Sequence, residues 1–186
     1  MPDISGIPTW VWAVTGISVA VAGVGGYFVF RLLRYGVTRR SVRFMVPKMQ
    51  TIDASRKSLG SVLCHLAQLS DDDLILFAGD PDAVDRVALA EVEQKMRLLR
   101  DELDSTPLPA DAIVVAQALA DAAHLIAQES GRIHDDMGFD AVLAALADID
   151  LAQIADVAVS ADLILKSACE EYRIEDAAVY GGGLYI

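Results

Sequence analysis

The residues of this chain that could support catalysis or bind a metal ion are its three histidines and the carboxylates close to them. Asp121 and His124 are three residues apart, a spacing that places both side chains on one face of a helix. His65 could join them, although nothing in the sequence places it nearby. A site built from His65, Asp121 and His124 would make the protein a membrane-tethered enzyme or a sensor that binds a ligand or metal. This is the alternative function.

A second polar group, Glu129 with His134 and Asp135, follows shortly afterwards. A metal site needs three or four converging ligands, and a carboxylate-bridged bundle site needs repeated Glu-x-x-His pairs, which the sequence lacks. A phosphotransfer histidine would need a basic residue close after it in the sequence, which neither His124 nor His134 has. The phosphate-loop, dinucleotide, zinc and nucleophile-elbow motifs are also absent. We therefore expect no catalytic residue and no cofactor, and a helix-buried His124 hydrogen-bonded to Asp121.

The elements that would carry these residues are helices throughout. Apolar residues recur at spacings of three and four along most of the chain, and no strand-like alternation competes with them. The predicted fold is all-α, with a single N-terminal transmembrane helix followed by a cytoplasmic bundle of about four to five helices. The predicted soluble helices are Ala54 to Leu69, a short segment within Leu74 to Phe77, Asp80 to Leu103, Ala110 to Ser130, Asp140 to Ala147, and Ala152 to Tyr172.

The predicted membrane span is the uncharged run from Thr9 to Phe30. As a helix, these 22 residues would extend roughly 33 Å, enough to cross a hydrocarbon core of about 30 Å. Trp10 and Trp12 lie near one end, and Tyr27 and Tyr35 near the other, as is typical of the two membrane interfaces. The start of the chain lacks the basic residues of a signal peptide, so we expect a retained anchor.

Basic residues lie only on the C-terminal side of this span, which predicts a short extracytoplasmic N-terminus at 1–8 and a cytoplasmic C-terminal domain. Residues 31–57 contain eight basic residues and one acid, a net charge of +7. We interpret them as a juxtamembrane neck that faces anionic lipid. Its lipid-facing basic residues are Arg31, Arg34, Arg39, Arg40, Arg43 and Lys48. Pro47 should end or kink any helix that continues from the membrane.

The head has the opposite charge. Residues 58–186 carry seven basic and 25 acidic residues, a net charge of −18, so we expect lipid to repel the head and nucleic acid to be excluded as a partner. The acidic bundle is predicted at 58–176. A glycine-rich tail at 177–186 ends in Leu184, Tyr185 and Ile186, which could be captured by a partner or remain disordered.

Small residues within the predicted span could allow a second membrane helix to approach closely, although glycine and alanine are also common in membrane helices generally. The residues with this spacing are Gly16, Ala20, Ala22, Gly23 and Gly26. The expected partners are membrane lipid and either another membrane protein or a second copy of the chain. The two cysteines, Cys64 and Cys169, show no metal spacing and should be buried and reduced.

Together these features predict a single-pass protein of the cell membrane. We expect a helical adaptor or accessory subunit that presents an acidic cytoplasmic bundle to partner proteins. A pore or lysis component has little support, because a single span without a polar stripe offers no path for ions.

Overall fold

The computed structural model describes residues 9–134 and 136–174, with side chains described from residue 23 onward. Six helices occur in this part of the chain, and the same residues contain no strand, which confirms the all-α class. The helices are α1 (Thr9–Leu66), α2 (Asp71–Gly79), α3 (Val84–Ser105), α4 (Ala110–Ser130), α5 (Phe139–Ala147) and α6 (Leu151–Glu171).

The first helix, α1, is continuous over 58 residues and includes Pro47 in its interior. The sequence predicted an end or a kink at this proline, and the helix does not end there. The predicted helix start at Ala54 also lies inside α1. A proline inside a helix costs one backbone hydrogen bond. Burial of Met45, Val46 and Met49 around it helps to offset that cost.

Residues from 38 onward place one face of α1 in the hydrophobic core. The buried side chains on this face recur every three or four residues, as expected for a helix packed along its length. They are Thr38, Val42, Met45, Met49, Ile52, Ser55, Leu59, Val62 and Leu66. The sequence assigned residues 31–57 to a neck separate from the bundle. The structure instead makes most of that segment a member of the bundle.

The centre of the bundle is α4, which contacts α1, α3 and α6. The apolar residues of α4 form two rows along the helix, and both rows are buried except for Ile113, which is exposed. Most of the buried residues of α4 are alanines, so neighbouring backbones can lie close to it. This packing is the helical bundle that the sequence predicted.

The helix α3 runs antiparallel to α1. Glu102, near its C-terminus, contacts Lys48, and Asp85, in its first turn, contacts His65 near the end of α1. The sequence predicted that this helix begins at Asp80, which is wrong by four residues. Asp80 instead accepts a hydrogen bond of 3.0 Å from the backbone N–H of Asp82, which forms a turn before the helix.

Two apolar residues in the first turn of α3, Val84 and Val87, are exposed. The core side of α3 is formed by Leu89, Val92, Met96, Leu99 and Leu103. The helix α2 is longer than the short segment predicted within Leu74 to Phe77, because Ser70 caps its start by accepting a hydrogen bond from the backbone N–H of Asp73. Cys169 is buried as predicted, whereas Cys64 is exposed.

One helix in the searched part of the chain, α4, is long and apolar enough to cross a membrane by length and composition, and half of its most apolar window is buried inside the bundle. This burial is what a core helix requires, and the acidic Asp111 and Asp121 within α4 would be costly in lipid. The predicted span at 9–30 lies within α1, but the side chains of residues 9–22 are outside the described ones. The membrane assignment therefore stays a prediction.

Candidate functional site

The three residues of the predicted catalytic or metal site are all exposed and have separate partners. His65 Nδ1 lies 2.9 Å from Asp85 Oδ2, at the start of α3. His124 Nδ1 accepts a hydrogen bond of 2.9 Å from Arg100, near the end of α3. Asp85 and Arg100 are 15 residues apart, about 22 Å along a helix, so the two histidines contact distant parts of α3.

The expected contact between Asp121 and His124 is wrong. Asp121 Oδ1 accepts a hydrogen bond of 2.8 Å from Gln117, one turn earlier on the same helix. Neither Asp121 nor His124 is buried. Among the described residues, no group of three or more histidine, cysteine or acidic side chains could hold a metal ion. The geometry therefore gives no support to a site formed by His65, Asp121 and His124.

The described residues of the second polar group, Glu129 and His134, each contact an arginine of the protein. Glu129 is buried, and its two carboxylate oxygens lie 2.8 and 2.7 Å from Arg132 Nη2 and Nε. This contact raises the pKa of Arg132 and compensates the buried charge of Glu129. The backbone carbonyl of His134 accepts a hydrogen bond of 2.8 Å from the buried Arg86, which also donates to the carbonyl of Ala78. Arg86 therefore ties the end of α2 to the segment after α4, and Asp135 lies outside the described residues.

A cavity of about 610 Å³ lies between α3, α4 and the segment that follows α4. Arg97, Arg100 and Arg132 line it together with His124 and His134. Each of the three arginines already contacts a carboxylate, namely Glu93, Asp104 and Glu129. The charges around this cavity are therefore balanced by the protein itself, and no excess of positive charge remains for an anion.

The neck and the head are joined by opposite charges where α1 meets the first turn of α4. Arg34 donates to Asp111 through Nη2 at 2.6 Å and Nε at 2.9 Å, a two-pronged contact between groups 77 residues apart. The contact raises the pKa of Arg34. The sequence predicted that Arg34 faces lipid and that lipid repels the acidic head. The structure instead pairs the two segments, because a base and an acid attract more strongly when they are held side by side.

Two further contacts reinforce this junction. The rings of Tyr35 and Tyr172 lie 5.3 Å apart between centroids, and Arg39 donates to the backbone carbonyl of Arg173 at 3.1 Å. Tyr172 is buried, and this burial raises the pKa of its phenol. We call these three pairs, Arg34 with Asp111, Tyr35 with Tyr172 and Arg39 with Arg173, the proximal contact. It joins α1 to the start of α4 and the end of α6.

The remaining neck residues divide between the head and solvent. Lys48 forms an ion pair with Glu102 of α3, and its ammonium lies 4.9 Å from the centre of the Phe44 ring. Arg31 and Arg40 are exposed. Arg34, Arg39 and Lys48, half of the six residues predicted to face lipid, therefore contact the head instead.

Between residues 24 and 33, just before the proximal contact, α1 exposes its large apolar side chains. Every large apolar side chain between residues 24 and 33 is more than half exposed. These residues are Val24, Tyr27, Phe28, Val29, Phe30, Leu32 and Leu33. A consecutive run of this kind leaves no polar face for water, unlike the rest of α1.

The small residues predicted to pack against another membrane helix are only partly described. A Cβ atom added at Gly23 or Gly26 would meet no atom within 4 Å, so both glycines present an open surface of α1. The structure does not describe the surroundings of Gly16, Ala20 and Ala22. The tail residues Leu184, Tyr185 and Ile186 also lie outside the described residues.

The fold and these contacts define a class of architecture, a helical bundle built around the second half of one long helix. Comparison of the chain with protein-family models, with curated proteins and with solved structures found no match. The functional argument therefore depends on the residues of this chain alone.

Proposed function

We propose that this protein is a single-pass membrane adaptor or accessory subunit that presents its acidic helical bundle to partner proteins in the cytoplasm. The observation that carries the proposal is the division of α1 into two parts. In its first part, the described residues 24–33 expose their large apolar side chains, and its second part forms a wall of the bundle core. A lipid environment would remove the apolar side chains of the first part from water, and the bundle core already does so for the second part.

The orientation follows from the basic residues after the span, of which Arg31 and Arg40 are exposed. The described surface of the head gives no sign of a catalytic centre, because its candidate histidines are separated. Presentation of a surface is therefore a better interpretation than chemistry. Small residues in the predicted span, including the open Gly23 and Gly26, favour a membrane helix as one partner.

The orientation can be tested with a cysteine already present in the chain. Cys64 is exposed on α1 and Cys169 is buried, so a membrane-impermeant maleimide should label mainly Cys64. In intact cells we expect labelling only after the cell membrane is permeabilised. A matched variant that combines Cys64→Ser with Ser5→Cys should be labelled before permeabilisation. Labelling of Cys64 in intact cells would contradict the proposed topology.

The anchor and the partner need separate measurements. Alkaline carbonate should leave the full chain in the membrane fraction, and its release into the supernatant would refute the anchor. Photo-crosslinkers placed at Gly23 and at an exposed head residue such as Val159 should recover a partner or a second copy from intact membranes. Recovery of monomer alone at native expression would count against an adaptor role.

A further inference from the structure

A second cavity, of about 560 Å³, lies directly beside the proximal contact. Its charged lining consists of Arg31 and Arg34 from α1, Asp111 from the first turn of α4, and Glu171 at the end of α6. Two cations thus face two anions around one space. Its volume is within the range of about 300–1,000 Å³ that is usual for small-molecule sites.

Two of these four charged side chains pair with each other, and the other two do not. Arg34 and Asp111 contact each other through two hydrogen bonds. Within the described part of the chain, neither Arg31 nor Glu171 forms an ion pair. The cavity therefore offers one guanidinium and one carboxylate to a ligand, and a ligand that carries both a cation and an anion would match them.

The remaining lining is aromatic. Tyr27 and Phe30 project from α1, while Tyr35 and Tyr172 contact each other across the proximal contact. Aromatic faces attract ammonium groups, so these rings would favour the same cationic end of a ligand that the carboxylate of Glu171 favours. The ends of the two helices add to this pattern of charge. The start of α4 is partly positive and would favour the anionic end of a ligand, and the end of α6 is partly negative and would favour its cationic end.

The cavity lies at the depth of lipid headgroups if α1 spans the membrane as proposed. Arg31 and Arg34 follow the predicted edge of the span at Phe30 by one and four residues, which is about 1.5 and 6 Å along the helix. The headgroup layer on each side of a bilayer is about 5–8 Å thick. A lipid beside α1 would therefore bring its phosphate and its headgroup amine to the level of these side chains.

We propose that this cavity binds the headgroup of a phospholipid with a primary amine, of the phosphatidylethanolamine type. Arg31 binds the phosphate, and Glu171 accepts hydrogen bonds from the ammonium among the aromatic rings. A glycerol headgroup carries the negative phosphate and no cation, so Glu171 and Asp111 would repel it. A choline headgroup has no N–H to donate to Glu171. This inference depends on the proposed membrane anchor.

The test uses the full chain in mild detergent with equimolar phosphatidylethanolamine, phosphatidylglycerol and phosphatidylcholine of identical acyl chains. Native mass spectrometry then measures which lipid stays bound. We expect phosphatidylethanolamine to be retained roughly tenfold more than either of the others, the factor that corresponds to one charge-assisted hydrogen bond. Glu171→Gln should abolish the preference, and Arg31→Gln should reduce retention of phosphatidylethanolamine itself.

Matched controls change the same charges outside the cavity. Glu170→Gln and Arg40→Gln alter exposed residues that do not line it, and both variants should retain the preference. Equal retention of all three lipids by the unaltered chain would overturn the proposal. So would an effect of Glu170→Gln as large as that of Glu171→Gln.

Two further measurements complete the test. The first distinguishes binding of the lipid from binding of its free headgroup, and the second distinguishes this inference from the proposed membrane anchor. Soluble phosphoethanolamine at the same concentration should not displace the lipid, and displacement would assign the cavity to a free metabolite instead. Retention in membranes after carbonate treatment without any lipid preference would refute the headgroup site and leave the anchor intact. Release by carbonate would refute the anchor, whatever the cavity binds in detergent.

Discussion

Arg34 and Asp111 join the first part of α1 to the first turn of α4 through two hydrogen bonds of 2.9 and 2.6 Å. Both side chains are partly exposed, so water and salt weaken the attraction between their charges. The two-pronged geometry adds orientation to this attraction, because two parallel hydrogen bonds align the guanidinium of Arg34 with the carboxylate of Asp111.

Removal of this pair should loosen the junction without unfolding the bundle. In Arg34→Gln we expect faster hydrogen exchange in residues 31–38 and 110–114, while the thermal midpoint of the whole chain changes by no more than a few degrees. The pair is exposed and its removal takes no apolar side chain out of the core, which is why the effect should stay local. Hydrogen exchange with mass spectrometry measures both segments at once.

The charge swap Arg34→Asp combined with Asp111→Arg provides the control for this pair. It restores opposite charges at the same two positions, so exchange should return toward the rate of the unaltered chain. Unchanged exchange in the single variant would show that the tyrosine pair and Arg39 hold the junction without Arg34.

The bundle core offers an adjacent pair of leucines for a stability test. Leu99 is 5% exposed and Leu98 is 62% exposed on the same helix. Leu99→Ala should lower the free energy of unfolding by about 2–5 kcal/mol, because it leaves a cavity in the core. Leu98→Ala should change it by less than about 0.5 kcal/mol. Urea unfolding followed by circular dichroism measures both, and equal losses would contradict the assignment of the core face.

Pro47 gives a prediction in the opposite direction. Inside a helix, proline is about 3 kcal/mol less favourable than alanine, and its stiffening of the unfolded chain recovers about 0.4–1 kcal/mol. Pro47→Ala should therefore raise the free energy of unfolding by about 2 kcal/mol. Pro109→Ala is the control, because Pro109 precedes α4 and should give no such gain. A loss of stability in Pro47→Ala would mean that the bundle requires the local geometry of the proline.

The buried phenol of Tyr172 predicts a loss of stability at alkaline pH. Burial, with smaller contributions from Glu171 and Asp111, raises the pKa of Tyr172 above its ordinary value of 10.0. Between the unfolded and the folded pKa, the unfolded chain releases this proton and the folded chain keeps it. Stability is therefore complete below about pH 10 and falls as the pH rises above it.

Tyr172→Phe should remove this part of the alkaline loss, since phenylalanine has no proton to release. Urea unfolding of both chains at pH 8 and pH 11 measures the difference. Tyr27→Phe, which alters an exposed tyrosine, should leave the alkaline loss unchanged. A loss of the same size in Tyr172→Phe would place the sensitive group elsewhere.

The sequence predicted the helices well where periodicity and local capping act together. The bounds of α4 agree with the prediction, since proline precedes it and glycine follows it. The prediction failed at Asp80 because the same local signal serves equally for a turn and for a helix start. Short-range patterns cannot separate these two uses of an aspartate.

Tertiary contacts are what the sequence could not supply. The pairing of Arg34 with Asp111 joins groups far apart in the chain, and charge counting over whole segments concealed it. The same limit applies to His124, whose partner is on α3 rather than three residues away on its own helix. Pro47 was read as a break because its neighbours in the core were not visible from the sequence.

The continuity of α1 has a geometric consequence. Each residue of an α-helix turns the chain by about 100° and advances it by 1.5 Å. The bundle is built on residues 38–66 of the same helix that begins at Thr9. The rotational orientation of the acidic head about the axis of α1 is therefore set by the number of residues between the two parts of that helix. Every surface of the head faces a fixed direction relative to whatever lies beside the first turns of that helix.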